Sequence, residues 1–413
     1  MDRDSDPGDI AADGRRDSAI SSRSPGSQTG DVEVSLLADT ARLLDGLDLE
    51  APAVVVDETR ARANLAAMAA RAAASGTRLR PHFKTHDNVG VGRWFREAGV
   101  RHAAVSSLAM AGRFALDGWD DLTLAILVNP RELPRLAELA WRLADRGGGL
   151  GLVVDSPEAA RAVRHIVGDT APLWLKVDTG YGRSGVLWDA APRLLAVARS
   201  AAFAGLLTHA GHSYRTPREA LPALFTETAR RLASARESTG RDLQLSVGDT
   251  PTCTAVERFT GVDEVRPGNF IFHDLMQRAA GVCGDEQLAV ALACPVIGVD
   301  ARRGRLVLHG GAVHLGREPV DTKGGPVFGC LGTVSSQGFG KVLDSAPVTG
   351  LSQEHGIVSI APADWEELAG GMKAGDHVLV FPAHSCLTCN LQGASMRTFT
   401  GAVLPRDAGT DSD

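Results

Sequence analysis

A chain of 413 residues, 44% apolar and 23% charged, can bury the core of one large or two ordinary domains. A formal net charge of −7 with no basic run speaks against nucleic acid and anionic membrane as partners. No apolar stretch approaches the ~18 residues of a transmembrane span, and six cysteines scattered from 253 to 389 suit a reducing cytoplasm better than a disulfide framework.

Residues 1–34 are rich in Asp, Arg, Ser and Gly and lack an apolar segment, so they read as a disordered tail rather than a signal peptide. A short helical stretch is expected from Ser35 to Leu47, then a strand from Ala53 to Val56. A helix from Glu58 to Ala74 follows, stopped by Ser75-Gly76. Beyond it, short apolar runs alternate with Ala/Leu/Arg-rich helical stretches. The runs fall near 78–83, 101–106, 122–127, 150–155, 173–177, 203–208, 243–247 and 262–271. Eight strands separated by helices is the count of an α/β, (β/α)8 TIM barrel, placed over 35–290. Past 290, apolar runs at 289–293, 306–308, 327–331 and 378–381 alternate with Gly-rich turns. That pattern marks a smaller β-rich domain over 291–405, followed by a polar, disordered tail over 406–413.

Active sites of such barrels lie where strands end, and the unusual residues gather there. Arg80-Pro81-His82-Phe83-Lys84-Thr85-His86 closes the first run. A lysine at a strand end sits near low-dielectric core, where desolvation favours the neutral amine that a Schiff base needs. With five lysines against 38 arginines, a lysine kept here suggests that chemistry requires an amine. Lys176 competes for that role, but apolar Leu175 and Val177 and the nearby Asp178 suggest an ion pair inside the barrel. Asp178 to Gly185 follows the fifth strand, His209 to Tyr214 the sixth, Gly248 to Thr252 the seventh, and Arg266 to Asn269 the eighth. Both tyrosines of the chain, Tyr181 and Tyr214, fall in these motifs, where a phenol can donate to a cofactor or substrate oxygen. Gly248, Asp249 and Thr250 suit a phosphate, or else form a plain Gly-Asp turn. His209 and His212 are candidate acid/base or ring-stacking groups.

The second distinctive stretch is Pro382-Ala383-His384-Ser385-Cys386-Leu387-Thr388-Cys389-Asn390. On an extended chain His384 and Cys386 point the same way and can share a metal. Imidazole plus thiolate favours Zn²⁺, and two protein ligands leave positions open for water and substrate. Cys386-x-x-Cys389 could instead be half of a structural zinc site or a redox pair, but no second CxxC and no thioredoxin-like pattern accompany it. Glu354-His355-Gly356 could reach the same pocket or be a polar loop.

PHFKTH, KVDTGYGRSG, HAGHSY, VGDTPT, VRPGNF, QEHG and PAHSC, in that order from residue 81 to 386, resemble the fold-type III pyridoxal-phosphate enzymes acting on D-amino acids. The nearest members are D-serine dehydratase and D-threonine aldolase. The resemblance runs from about residue 51 to 400. It implies an alanine-racemase-like barrel with a β-domain, a homodimer, and a Schiff base to pyridoxal 5′-phosphate on Lys84. It places the phosphate near Gly248 to Thr250, Tyr181, Arg183 and Tyr214 around the cofactor, and a divalent metal, Zn²⁺ ahead of Mn²⁺, on His384 and Cys386. The implied activity is dehydration of a 3-hydroxy D-amino acid such as D-serine or D-threonine, with Lys84 as base. Retro-aldol cleavage, with His209 or His212 deprotonating the hydroxyl, is the alternative. Cys386 favours the dehydratase, since the aldolases resembled more typically carry aspartate there. A racemase of this fold needs a tyrosine from the β-domain, and none follows Tyr214. A non-catalytic cofactor carrier would keep Lys84 and Gly248 but has no use for the metal pair.

Overall fold

The computed structural model describes residues 35–393 and 395–409. The tail expected over 1–34 lies outside the described residues, as do 410–413. In chain order the strands are β1 (Ala53–Val56), β2 (Arg78–Leu79), β3 (His102–Val105), β4 (Asp121–Leu127), β5 (Gly149–Val154), β6 (Leu173–Asp178) and β7 (Val186–Leu187). Then come β8 (Gly205–His209), β9 (Gln244–Gly248), β10 (Glu264–Val265), β11 (Val290–Asp300), β12 (Arg305–His309), β13 (Val320–Thr322) and β14 (Gly325–Val327). The last are β15 (Gly329–Ser335), β16 (Gly338–Leu351), β17 (His355–Ser359), β18 (His377–Pro382) and β19 (Arg397–Thr398).

The parallel order β2-β10-β9-β8-β6-β5-β4-β3 carries the eight expected barrel strands, and a parallel bridge between His82 and Ala104 closes the ring. Buried Val/Leu runs such as Leu173–Val177 explain the architecture, because a barrel strand is covered on both faces. The first strand, expected over 78–83, pairs as a ladder only over Arg78–Leu79. Pro81 has no N–H to donate, although its carbonyl still accepts from the Ala104 N–H at 2.9 Å. The eighth, expected over 262–271, shrinks to Glu264–Val265 because Pro267 and Gly268 turn the chain into a 3-10 turn at Asn269–Ile271. The helix Glu58–Ser75 starts where Asp57 accepts the Arg60 N–H and ends at Gly76 with φ 63°, matching its expected span.

The second sheet closes on itself through β11-β12-β17-β16-β15-β18, with β11 also pairing β18. Strand β11 spans eleven residues and bends at a bulge between Val296 and Gly298, so its two ends serve different neighbours. Strand β1 pairs antiparallel with β11, Val54 opposite Leu292, and helix Leu36–Leu44 packs on β15 and β18. Residues 35–56 therefore belong with the β-domain, which shifts the boundary drawn from sequence. A buried Ala-Val-Val-Val run fits either sheet; the free edge of β11 decides it. The tail drawn from 406 is anchored at first: Arg406 donates to Asp87 at 3.0 Å and Arg113 to Asp407 at 2.6 Å.

Candidate active site

Lys84 stands exposed on a 3-10 turn, Phe83–Thr85, directly after the first barrel strand. Its neighbours are rigid. Phe83 is fully buried against the rings of His86, Phe95, Phe114 and Trp119, and His82 Nδ1 accepts the Lys84 N–H at 3.4 Å. The desolvation expected of the amine is not found: Lys84 is exposed, and only the turn beneath it, through Phe83, is packed into the core. His86 points inward, where burial lowers its pKa to about 3, so it belongs to the core. At Gly268 a Cβ would sit 2.9 Å from the His82 carbonyl and from Thr85 Oγ1, so glycine lets the eighth-strand loop close against the lysine turn.

A cluster of cations faces Lys84. Lys176 on β6 is 6% exposed, and burial, reinforced by Arg266 and Arg183, lowers its pKa to about 7. The Lys176–Asp178 ion pair expected from sequence does not form. Asp178 instead turns its carboxylate to the N–H groups of Gly180, Tyr181 and Gly182 at 2.9 to 3.1 Å, shaping the loop that presents Tyr181 and Arg183. His209, at the end of β8, binds the Gly248 carbonyl through Nδ1 at 2.5 Å. Burial, then Arg183, Lys84 and Lys176, push its pKa well below normal, so the ring is neutral with Nε2 as the free acceptor. His82 is neutral for the same reasons. His212 differs: it stacks on Tyr181 at 6.2 Å, and its charged neighbours are Arg231 and Asp178 rather than Lys84. Gly211 makes room for the Tyr181 ring, which a Cβ would meet at 2.5 Å. Arg183 lies over the same ring at 5.3 Å.

Gly248, Asp249 and Thr250 lead from β9 into the short helix Thr250–Ala255. Asp249 spends its carboxylate as the cap, accepting Thr252 N–H and Thr252 Oγ1, each at 2.8 Å. Burial raises its pKa to about 6. Only its backbone is left to face a phosphate. Tyr214 is 37% exposed overall, but desolvation of its hydroxyl and the nearness of Cys386, Asp249 and Asp274 raise its pKa. It therefore lies between the Gly248–Thr250 turn and Cys386.

His384 and Cys386 are brought together, though not by an extended chain. His384 is the residue before helix Ser385–Leu391, and Cys386 lies in the first turn of that helix. Asp274, 2% exposed, clamps the turn to the barrel. It accepts from Ser385 N–H at 3.0 Å, Ser385 Oγ at 3.2 Å, Asn269 Nδ2 at 2.6 Å and Gln277 N–H at 2.9 Å. Cys386 Sγ is 3.3 Å from Thr85 Oγ1 and 3.6 Å from Asn269 Nδ2. On the other side Glu318 hydrogen-bonds His384 Nδ1. Burial opposes a charge on His384, but Cys386, Asp274 and Glu318 outweigh it and raise the pKa to about 10. A divalent cation would displace that proton. Cys386 and Cys389 are both free thiols, Cys389 fully buried, so the redox-pair reading gains nothing.

Sequence reasoning missed Asp274 and Glu318, because a lone acid in a loop carries no spacing signal. Glu354 does not join this pair. It groups with His309 and His314, where His314 Nδ1 accepts the Gly311 N–H and so leaves the ring proton on Nε2. A cavity of about 470 Å³ opens at the opposite end of the barrel, among Arg78, His102, Asp121 and Trp174. Its volume marks no chemistry, since the cations and ligand pair lie at the other face.

The residues fit the two groups the sequence implies. Among the described residues neither Lys84 nor Arg183 forms an ion pair, so positive charge remains for a phosphate and a carboxylate. An imidazole and a thiol side by side are a soft-metal donor pair.

The chain matches the alanine racemase N-terminal domain family over residues 56–275 and the putative serine dehydratase domain family over residues 289–396. D-threo-3-hydroxyaspartate dehydratase of Delftia sp. (strain HT23) is 37% identical over 357 residues, 83% of this chain and 92% of that one. Its structure matches with TM-score 0.77 at 34% identity, covering 88% of this chain and 99% of the other. D-serine dehydratase of Dictyostelium discoideum is 27% identical over 378 residues, 83% of this chain and 91% of that one. D-threonine aldolase from Filomicrobium marinum, 20% identical with TM-score 0.68 over 84% of this chain and 90% of its own, shares the fold. With matched families along both the barrel and the β-domain, this chain belongs to the D-serine dehydratase-like fold-type III pyridoxal-phosphate enzymes and is a lyase of that class.

Proposed function

We propose that the protein dehydrates 3-hydroxy D-amino acids, of the D-serine, D-threonine and D-threo-3-hydroxyaspartate kind, to 2-keto acids and ammonia with the help of a divalent metal. The observation that supports this reading is the contact of Cys386 Sγ with Thr85 Oγ1, which sets an imidazole and thiol pair beside the residue that follows Lys84. When bound, pyridoxal phosphate supplies a sink for the electrons of a broken Cα–H bond, and the metal supplies a Lewis acid at the β-hydroxyl.

Lys84 would hold the cofactor through its amine and, once exchanged for the substrate amine, takes the Cα proton on Nζ. His384 Nε2 and Cys386 Sγ would hold the metal, with Asp274 keeping their turn against the barrel. Gly248 to Thr250 would take the phosphate, with Tyr181, Arg183 and Tyr214 around it. His209, neutral and bonded to Gly248, offers Nε2 as an acceptor rather than a charge. Cα–H and Cβ–OH are lost together as one water, and the enamine left behind hydrolyses to the keto acid and ammonia. The proposal includes Zn²⁺ ahead of Mn²⁺, a homodimer and a reducing cytoplasm, which six free cysteines fit. No helix among the described residues is long and apolar enough to cross a membrane.

Product analysis on D-serine, D-threonine and D-threo-3-hydroxyaspartate tests the reading. A 2-keto acid with equimolar ammonia, abolished by chelation and restored by Zn²⁺, is expected. Glycine and acetaldehyde from D-threonine would mean retro-aldol cleavage instead. Turnover untouched by metal removal would overturn the role of His384 and Cys386. A mutant of D-threo-3-hydroxyaspartate dehydratase described in the metal-free form supports a metal in this family.

A further inference from the structure

We infer that Glu318 is a positioning residue for the metal site: it fixes the ring orientation and tautomer of His384 so that Nε2 is presented beside Cys386 Sγ. This rests on the metal reading above. Glu318 lies in the segment between helix Ala312–Leu315 and β13, and its carboxylate accepts from His384 Nδ1. An imidazole whose Nδ1–H is given to a carboxylate carries its lone pair on Nε2, the atom left to bind a cation.

The carboxylate is not there by the chance sweep of a surface side chain. Residues 312–318 form a strap over helix Ser385–Leu391, pinned at three points. Thr388 Oγ1 donates to the Leu315 carbonyl at 3.2 Å, and Gln392 Nε2 to the Val313 carbonyl at 3.2 Å. Gly316, with φ 78°, passes so close to Leu387 that a Cβ would lie 3.1 Å from the leucine Cβ and Cδ1. The helix that carries Cys386 thus holds the strap that carries Glu318, and both ends of the His384 ring are referenced to one element. Asp274 fixes the backbone of this turn from the barrel side; Glu318 fixes the ring, which no other side chain does at Nδ1 among the described residues. Its carboxylate is 56% exposed, so an isolated ion pair here would contribute little to stability. That separates orientation from folding.

The test uses the pyridoxal-phosphate holoenzyme and Zn²⁺ in competition with a chelator, for the parent, Glu318→Gln, Glu318→Ala, His384→Ala and the Glu318→Ala/His384→Ala double variant. Zn²⁺ affinity should fall about 10–100-fold in Glu318→Ala and less in Glu318→Gln, which keeps an acceptor oxygen. The Tm of the metal-free holoenzyme and its cofactor absorbance should stay unchanged. In the His384→Ala background, removing Glu318 should weaken Zn²⁺ no further. An affinity in Glu318→Ala within twofold of the parent overturns the inference, as does a second, additive loss in the double variant. A parent that binds no Zn²⁺ overturns the metal reading and this inference together.

Discussion

On the barrel side of the site, Lys84, Lys176 and Arg183 surround a neutral His209; on the β-domain side, Asp274, Glu318 and Cys386 surround His384. One region raises the local potential and drives buried bases towards neutrality. The other supplies acceptors, so that His384 titrates upward where His209 titrates downward. A bound molecule with a phosphate or carboxylate at one end and a polarised hydroxyl at the other fits between two such walls. The same residue type thus serves two purposes because the fold gives it opposite neighbours.

Breaking the barrel side should have the largest effect. Lys84→Ala removes the amine and the base together, and turnover should fall by about 10²–10⁴-fold while metal affinity stays near that of the parent. Loss of metal together with activity would mean the two sides are not separable. Lys176→Met tests the buried charge. The folded-state pKa of Lys176, about 7, lies below its unfolded value, so the ammonium costs stability in full below pH 7. That cost is relieved as pH rises from 7 towards ~10 and amounts to about 5 kcal/mol. Denaturation of the cofactor-free protein should therefore show the parent gaining stability between pH 7 and 10 and Lys176→Met staying flat; equal slopes would contradict the assignment.

On the metal side, Asp274→Ala strands buried donors of Ser385, Asn269 and Gln277. A loss of about 2–4 kcal/mol is expected in urea unfolding, with weaker Zn²⁺ binding as the turn loosens. The smallest effect should come from Gly211→Ala, which forces the Tyr181 ring aside at a cost of about 1–3 kcal/mol. It should weaken cofactor binding by equilibrium dialysis and leave Zn²⁺ binding alone; a matching loss of Zn²⁺ would blur the division.

Legibility in the sequence follows the same division. The barrel was readable because most of its strands are buried on both faces and their ends carry unusual residues: Asp178, His209 and Gly248 each close an apolar strand, and Lys84 follows the short Arg78–Leu79 strand. The β-domain was readable only where apolar runs are continuous, as at Val378–Phe381. Strand β16 escaped, since fourteen residues interrupted by Gly, Ser, Pro and Thr alternate in and out of the core through two irregular pairings with β15. Strand β1 showed its type but not its partner, which is chosen more than 230 residues later. His384 and Cys386 were found by spacing, and for a geometric reason the helix start replaces. Asp274 and Glu318 had no local signal at all. A capping or orienting acid is defined by what folds against it, and both act on a segment about 65 to 110 residues further along the chain.

Two lysines stand at the barrel mouth, and burial favours a neutral amine at Lys176 while the turn after β2 presents Lys84. Borohydride reduction of the pyridoxal-phosphate-loaded enzyme, followed by peptide mass mapping, decides between them. The pyridoxyl label should be found on Lys84 alone. A label on Lys176, or on neither, would contradict a cofactor held opposite His384 and Cys386.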